Sequence, residues 1–281
     1  MSLELCVLAS GSGGNCTVVR TPGGIVLIDA GLAPRTAAQR MDGSGARVRD
    51  VIAICLTHLD RDHFSPGWAG LICSHGIRLF CHSERVGQLL EICEGELHDR
   101  HVIGFDGPFE PAEGVRVEPI ALAHDQEGSH GFLIEGFGSR VGYATDLGHV
   151  PLELLERFVD LDVLAIESNY DPRMQEESHR PYFLKQRITG GRGHLSNEQA
   201  FEAVRKILDR CQRRAARMPS HVVLLHRSRQ CNCPKVVRSL FSRDARIAPR
   251  LTLAEQFSRS PWLRTRPSRA LVGEQLMLGW A

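Results

Sequence analysis

Long apolar runs are missing from this chain of 281 residues. No stretch approaches the roughly 20 consecutive apolar residues that a membrane-spanning helix needs. The first residues also lack the basic start and the small-residue cleavage site of a secretory signal. The sequence therefore predicts a cytoplasmic protein with no membrane partner.

The cysteine pattern argues against a disulfide scaffold. There are nine cysteines, an odd number, and they are scattered along the chain. Reduced thiols in the cytoplasm fit this usage better than a disulfide framework does. Cys231 and Cys233 are two residues apart, which is not a usual zinc spacing, so we interpret them as small packed residues.

Aromatic residues and lysines are few. Aromatic residues make up 6% of the chain, so the sequence shows no base-stacking platform of the kind that single-strand binders use.

Residues 1–200 hold 17 basic and 28 acidic residues, whereas residues 201–281 hold 17 basic and 5 acidic ones. A basic carboxyl-terminal part beside an acidic part suits a polyanionic substrate. A genome-wide bias towards arginine is the alternative explanation, because only three of the 34 basic residues are lysine.

The apolar residues, 42% of the chain, follow the periods of strands and helices. Apolar runs rich in β-branched residues predict strands at 4–8, 16–20, 24–28, 51–56, 78–81, 115–123, 131–136, 139–144, 163–166, 221–225 and 251–254. Helices are predicted within 33–47 and at 68–75, 83–93, 152–158, 197–214 and 234–241, with Ser83 and Ser196 as N-caps. The order predicts sheets with helices on their outer faces, in an α/β-type domain.

Metal-capable side chains are densest directly after the predicted strand at 51–56. His58, Asp60, Asp62 and His63 fall within six residues. Imidazole and carboxylate groups are the ligands that hard or borderline divalent metals take. Such a loop at a strand end predicts the floor of a two-metal hydrolytic site. A solvated polar turn that happens to hold two histidines is the alternative.

Four further polar residues follow predicted strands directly: His124, Asp146, Glu167 and His226. Strand-end loops on one edge of a sheet converge in space, which is how sites are built on α/β scaffolds. We therefore expect these side chains to meet the first motif.

These motifs resemble those of the metallo-β-lactamase-fold hydrolases. The family's His-x-His-x-Asp-His motif corresponds to residues 58–63, and its other ligands match His124, Asp146 and His226, with Asp29 as a structural aspartate. The resemblance implies an α/β fold of the metallo-β-lactamase type, a four-layer αββα sandwich. It also implies a dinuclear metal site along one edge of the two sheets.

The resemblance further implies roles for individual residues. Metal 1 is assigned to His58, Asp60 and His124, metal 2 to Asp62, His63 and His226, and Asp146 to the bridge between them. The expected catalytic residues are Asp62 and His194, the latter because the run Gly193–Ser196 resembles ribonuclease Z. The expected cofactors are two divalent metal ions, Mn²⁺, Fe²⁺ or Zn²⁺, with a water activated between them.

One position departs from the family motif. The usual second histidine is Asp60 here. An oxygen-richer ligand set shifts the preference from Zn²⁺ towards Mn²⁺ or Fe²⁺.

Several longer runs are similar to one branch of the family, the WalJ/YycJ-like proteins. They are residues 9–16, 167–171, 181–188 and 193–198. The similarity implies a DNA exonuclease acting from the 5′ end by phosphodiester hydrolysis. Alternatives are the same site acting on RNA, a cyclic phosphodiester or a lactone, or a non-catalytic member that binds metal or nucleic acid.

Two further features have open interpretations. The glycine-rich loop at 11–14 predicts either backbone N–H groups free to bind a phosphate or a plain tight turn. Lys185, Arg187 and Arg192 either grip a nucleic-acid backbone or form a solvated face.

The domain organisation is predicted as a catalytic domain over residues 1–245 and a basic tail over 246–281. The tail either packs on the domain or serves as an interaction segment, for example at a dimer interface.

Overall fold

The computed structural model describes residues 2–266, which form two mixed sheets with helices on their outer faces. The strands are β1 Glu4–Ala9, β2 Cys16–Thr21, β3 Gly24–Ile28, β4 Val51–Cys55, β5 Arg78–His82, β6 Val102–Phe105, β7 Phe109–Ala112, β8 Val115–Leu122, β9 Ser129–Gly136, β10 Ser139–Ala144, β11 Val163–Glu167, β12 His221–Leu225, β13 Leu251–Leu253 and β14 Leu263–Arg264. The helices are α1 Pro34–Met41, α2 Ala69–His75, α3 Val86–Ile92, α4 Leu152–Arg157, α5 Pro172–Glu177, α6 Tyr182–Thr189, α7 Asn197–Arg213 and α8 Pro234–Phe241.

The strand order separates the chain into two halves. The first sheet has the order β14-β1-β2-β3-β4-β5-β6, and the second has the order β13-β12-β11-β10-β9-β8-β7. Each sheet thus holds a nearly continuous half of the sequence, and the last strand of the described chain returns to pair with β1.

Three apolar clusters define four layers, because each sheet buries both of its faces. In β3, Leu27 packs with Met41 and Ile72 on the helical side, whereas Val26 faces a second cluster with Phe132 from the other sheet. A third cluster joins the second sheet to α4, α7 and α8. Successive side chains of a strand point to opposite faces of its sheet, so a sheet that is covered on both faces packs against a helical layer on one side and against the other sheet on the other side. The predicted four-layer αββα sandwich is confirmed.

Parallel pairing places the functional loops at one edge. Strands β3, β4 and β5 are mutually parallel, and so are β10, β11 and β12. Their carboxyl ends therefore point the same way. The strand β8 runs in the same direction, because it is antiparallel to β9, which is antiparallel to β10.

The helix predicted from Ser83 was wrong at its start. Residues Ser83–Arg85 form a 3₁₀ turn, and α3 begins only at Val86 without a side-chain cap. The Ser83 hydroxyl donates instead to Asp106 Oδ2 at 2.8 Å. By contrast, Ser196 caps α7 in a full capping box with Gln199, as predicted.

Some elements were not predicted from the sequence. The short strands β6, β7 and β14 have weak patterns, α5 has few apolar positions, and the apolar residues of α6 bunch at its start. Both helices follow a residue with extended backbone, with proline at or just before the first helical position.

The carboxyl-terminal segment joins both sheets before the described chain ends. Leu251–Leu253 pairs with β12 and Leu263–Arg264 pairs with β1. The division between 245 and 246 stays a prediction, and residues 267–281 of the predicted tail lie outside the described residues. No helix among the described residues is long and apolar enough to cross a membrane.

Candidate metal centre

The loop after β4 and the loop after β8 bring three donors together. His58, Asp60 and His124 each offer a ligand atom, and these atoms lie within 4.8 Å of one another. The two imidazoles are largely buried, whereas the Asp60 side chain is 51% exposed. This group, which we call the open group, forms one wall of a cavity of about 700 Å³.

A second set of donors lies deeper in the fold. Asp62, His63 and His226 also offer atoms within 4.8 Å of one another. His226 Nε2 lies 3.2 Å from Asp62 Oδ2, and the His63 side chain is completely buried. We call this set the enclosed group.

Asp146 lies between the two groups. Its Oδ2 is 3.0 Å from His63 Nε2, and its Oδ1 is 3.5 Å from the Nδ1 atoms of both His194 and His226. It also clusters with His58 and His63 as a third possible donor set. The sequence-predicted ligands therefore all converge, and a shared position for Asp146 is compatible with the geometry.

Hydrogen bonds orient the imidazoles towards the centre. His63 Nδ1 is 2.8 Å from Asp29 Oδ2, and His124 Nδ1 is 3.0 Å from the carbonyl oxygen of Gly193. When a histidine nitrogen bonds to a carboxylate or carbonyl in this way, the other ring nitrogen is left for a metal. Asp29 also accepts from the Thr57 backbone and hydroxyl at 2.9 and 3.0 Å, which fixes the start of the motif loop.

The state of His58 shows that the residues fit a metal ion. Its Nε2 is buried and has no hydrogen-bond partner within the described chain. Burial, together with the neighbouring His63, holds the pKa of His58 well below its usual range. The ring is therefore neutral, the form that coordinates metals, and a divalent ion at this position would satisfy its unpaired nitrogen.

In the enclosed group the surroundings favour a charged imidazole, whereas the surroundings of His58 favour a neutral one. Burial opposes a charge on His226, but Asp146 and Asp62 outweigh it and raise the pKa of His226 to about 10. Burial likewise opposes the charged form of Asp62, but the hydrogen bond with His226 and the charge of His63 bring its pKa to about 2. The carboxylates thus hold positive charge here, and a bound cation would displace protons from the imidazoles.

Three residues of the centre have left-handed backbone. The φ angles are 59° at Asp29, 52° at Asp146 and 49° at His226. Non-glycine residues adopt this conformation at a cost of about 1–3 kcal/mol each when the surroundings demand it. Here the Ser10 hydroxyl accepts from the His226 N–H at 2.8 Å, and Ser129 donates to the Asp146 carbonyl at 2.6 Å. The turns aim these side chains into the centre immediately after their strands.

His194 lies beside the centre in contact with Glu167. Its Nδ1 is 2.8 Å from Glu167 Oε1, and the other carboxylate oxygen accepts from the backbone N–H of Leu195 at 3.0 Å. Burial lowers the pKa of His194, but Glu167 and Asp146 outweigh this effect and raise it. These carboxylates therefore favour the protonated form of His194, and the contact with Glu167 holds its ring in a fixed orientation.

Three functional neighbours had no assigned role in the sequence reasoning. Glu167 was recognised at its strand end but given no task. Asn15 donates to the Asp62 carbonyl oxygen at 3.2 Å, and Asn169 donates to the His226 carbonyl oxygen at 2.8 Å. All three fall within the sequence runs similar to the WalJ/YycJ-like branch, which is the signal that could have found them.

The interpretation of the glycine-rich loop as an anion site was wrong for most of its N–H groups. Gly11 donates to Asn15 Oδ1 at 2.8 Å, Gly13 to Gln256 Oε1 at 2.8 Å, and Gly14 to the Gly11 carbonyl oxygen at 3.0 Å. These groups are already paired, so the tight-turn interpretation holds for them.

The predicted basic residues are differently engaged. Arg187 forms a two-pronged ion pair with Asp125, and Arg192 donates to the Asp125 carbonyl oxygen. Both arginines line the cavity beside the open group. Lys185 bonds instead to the Glu176 carbonyl oxygen and lines none of the cavities described here.

Comparison with known proteins gives consistent similarities. Residues 25–226 match the family model described as the Beta-lactamase superfamily domain. The chain is 26% identical over 239 residues to an exodeoxyribonuclease YycJ of Bacillus anthracis, covering 85% of this chain and 87% of that protein. It is 27% identical over 212 residues to an exodeoxyribonuclease WalJ of Streptococcus pneumoniae, covering 74% and 78%.

Solved structures show the same fold. The Zn²⁺-bound PqqB of Methylobacterium extorquens superposes with a TM-score of 0.67 at 17% identity, over 92% of this chain and 99% of that one. At this identity the likeness concerns the fold alone.

Proposed function

Since this chain belongs to the β-lactamase superfamily and is a metal-dependent hydrolase, we propose that it is a DNA exonuclease with two divalent metal ions. The observation that carries the proposal is the pair of three-donor groups, with Asp146 clustered with members of both groups and beside His194. Two relatives named exodeoxyribonuclease support DNA as the substrate, and by the branch resemblance digestion starts from the 5′ end.

The ligand assignment follows the two groups. We assign one metal to His58, Asp60 and His124, the other to Asp62, His63 and His226, and a bridging position to Asp146. Two such ions would lower the pKa of a water to near neutrality and neutralise charge on the phosphate. The aspartate at position 60 favours Mn²⁺ or Fe²⁺ over Zn²⁺.

The chain's own groups hold the substrate and move protons. His194 is the general acid in this proposal, because its Nδ1 is fixed by Glu167 and its ring lies 5.2 Å from that of His124 and 5.3 Å from that of His226. A protonated imidazole at this place can donate to the departing oxygen. Asp62 contributes through its carboxylate, which orients His226 and holds negative charge in the centre.

Arginines would bind phosphates next to the scissile bond. Arg180 and Arg227 line the cavity of about 340 Å³ that is also lined by His194, Asp62 and His226. Their side-chain hydrogen bonds among the described residues go to uncharged partners, namely Gln175, Ser228 and Gln230 for Arg180 and the Ala254 carbonyl oxygen for Arg227. Their full positive charges therefore remain available for phosphates.

The test is digestion of DNA labelled at either end by the purified protein, with Mn²⁺, Fe²⁺, Zn²⁺ or no added metal. Single- and double-stranded substrates are compared, with the Asp146→Ala variant as the control. We expect metal-dependent release of nucleotides from the 5′ end and none with the variant. Absence of DNA cleavage with every metal would contradict the proposal and direct attention to RNA or a small ester.

A further inference from the structure

Three aromatic side chains are strongly exposed in the described part of the chain. Tyr182 is 75% exposed, Phe183 is 74% exposed and Phe257 is 63% exposed. Exposing a large ring to water is unfavourable, and such rings on a protein surface often mark a binding site.

Tyr182 and Phe183 begin α6, which forms a wall of both cavities. Leu184 and Ile188 turn towards an apolar cluster with Tyr170. Phe183 lies one turn before Arg187, and Tyr182 lies one turn before Gln186. Because Arg187 and Gln186 line the cavity beside the open group, the two rings extend that cavity's edge outwards.

Phe257 approaches the cavity of His194 from a different segment, and we call the surface that carries the three rings the rim. The neighbouring Gln256 side chain bonds to Gly13 and Gly14, and Ser12 of the same loop lines the cavity of His194. The Arg229 guanidinium lies 4.7 Å from the centre of the Phe257 ring. Ser228 and Gln230, on either side of Arg229, line that cavity as well.

We propose that these rings stack on unpaired bases, so that the protein takes single-stranded DNA into its metal centre. This inference rests on the proposed function and names the form of its substrate. Aromatic rings stack on any base but reach it only when it is unpaired. Arg180 and Arg227 supply the complementary charge for the phosphates of the same strand.

A nucleic acid fits this surface better than a protein partner does. The rings come from two separate segments beside guanidinium groups and a carboxylate-rich cavity. Alternation of rings and cations along a charged groove is what binders of single strands use. A protein docked on the same rim would cover the metal centre.

The test measures binding of the full-length metal-loaded protein to fluorescent oligothymidylate by anisotropy. Phosphorothioate linkages slow its hydrolysis, and a second oligonucleotide has the same linkages but no bases. The variant is the double substitution Tyr182→Ala and Phe183→Ala. The matched control is Leu152→Ala, another exposed apolar side chain, at 61% exposure on α4, which lines none of these cavities.

We expect the double variant to bind oligothymidylate about tenfold more weakly or worse, because each stacked ring contributes substantially. It should bind the abasic strand as the wild type does, and substituting Phe183→Trp should retain binding of oligothymidylate. Equal affinity of the wild type for both strands, or wild-type affinity in the double variant, would overturn the inference and point to another occupant of the rim.

Cleavage is scored separately, so that the two proposals fail in different ways. Loss of base-dependent binding in the double variant supports the stacking surface even if the wild type cleaves no DNA. Cleavage by the wild type combined with unaltered binding by the double variant leaves the nuclease standing and removes the stacking surface.

Discussion

The two halves of the candidate metal centre each take two donors from the loop after β4 but differ in their support. In the enclosed group, His63 is fixed by Asp29, and His226 is held by Asp62 and by Glu167 at 3.3 Å. In the open group, Asp60 is half exposed, and its Oδ2 lies 3.8 Å from His58 Nε2, beyond hydrogen-bond distance.

This difference indicates a division of labour. A ligand set whose members are held before the metal arrives needs little rearrangement, so we expect the enclosed group to bind its ion more tightly. The open group faces the larger cavity, where substrate enters, and its ligand set is the one that departs from the family motif. We expect it to determine which metal supports activity.

The largest effect should come from Asp146→Ala, because the proposed ligand assignment gives this carboxylate to both metals. We expect loss of both metals and of all hydrolysis, measured as metal content per chain and as release of labelled nucleotide. The exposed Asp106→Ala is the control for loss of one acidic side chain. Near-wild-type turnover in Asp146→Ala would show that the centre is assigned wrongly.

Removing His194 should separate chemistry from metal binding. His194→Ala is expected to keep both metals but to slow hydrolysis by roughly a hundredfold or more, since a general acid contributes about that much. Metal content and kcat are measured on the same preparation. If metal is lost along with the rate, His194 is a ligand and the enclosed group has a further member.

Asp29→Asn tests the support of the enclosed group directly. It should weaken one of the two metals by about 10–100-fold, the usual effect of losing a partner behind a ligand. Competition with a chelator measures each affinity, and Asp60→Asn is the reciprocal variant, expected to weaken the other metal. Equal weakening of both metals by Asp29→Asn would remove the distinction between the halves.

Glu167→Gln should change the pH dependence more than the maximal rate. Although burial opposes it, the Glu167 carboxylate raises the pKa of His194, and a general acid works only while it is protonated. Activity is therefore present below this pKa and is lost as pH rises through it. Without the charge the pKa falls, so the alkaline limb of kcat should move to lower pH.

The control for that profile is Glu198→Gln, an exposed acid in the first turn of α7. A limb that stays in place in Glu167→Gln would mean that another group supplies the proton.

The smallest effect is expected from Asp60→His, which restores the usual family residue. Replacing a carboxylate with an imidazole favours Zn²⁺ relative to Mn²⁺. The ratio of rates with the two metals should move towards zinc, with little change in the better of the two rates. A constant ratio would show that the open group does not set the metal preference.

Much of the centre was accessible from the sequence, because metal donors carry their chemistry in their side chains. The run from His58 to His63 and the strand-end positions of His124, Asp146 and His226 were enough to predict that they meet. The supporting residues were harder to predict. Asn15 and Asn169 act through ordinary amide hydrogen bonds, which leave no distinctive spacing.

The exposed rings show the limit of composition. An aromatic content of 6% suggested no stacking surface, yet three exposed rings of the described surface are near neighbours of residues that line the two cavities of the centre. Composition counts residues but does not say where they lie. The helix α6 carries two of them, and its apolar residues bunch at positions 182–184, so its sequence shows no clear helical period.

The sequence by itself determined the donor types, their spacing and the strands that carry them, since these depend on local chemistry and on a period of two residues. Only the tertiary structure decided which imidazole nitrogen faces the centre and which neighbouring groups hold the donors in place. Those outcomes depend on parallel strand ends and on left-handed turns at Asp29, Asp146 and His226. Such turns form because contacts distant in sequence, such as Ser10 with His226, hold them in place.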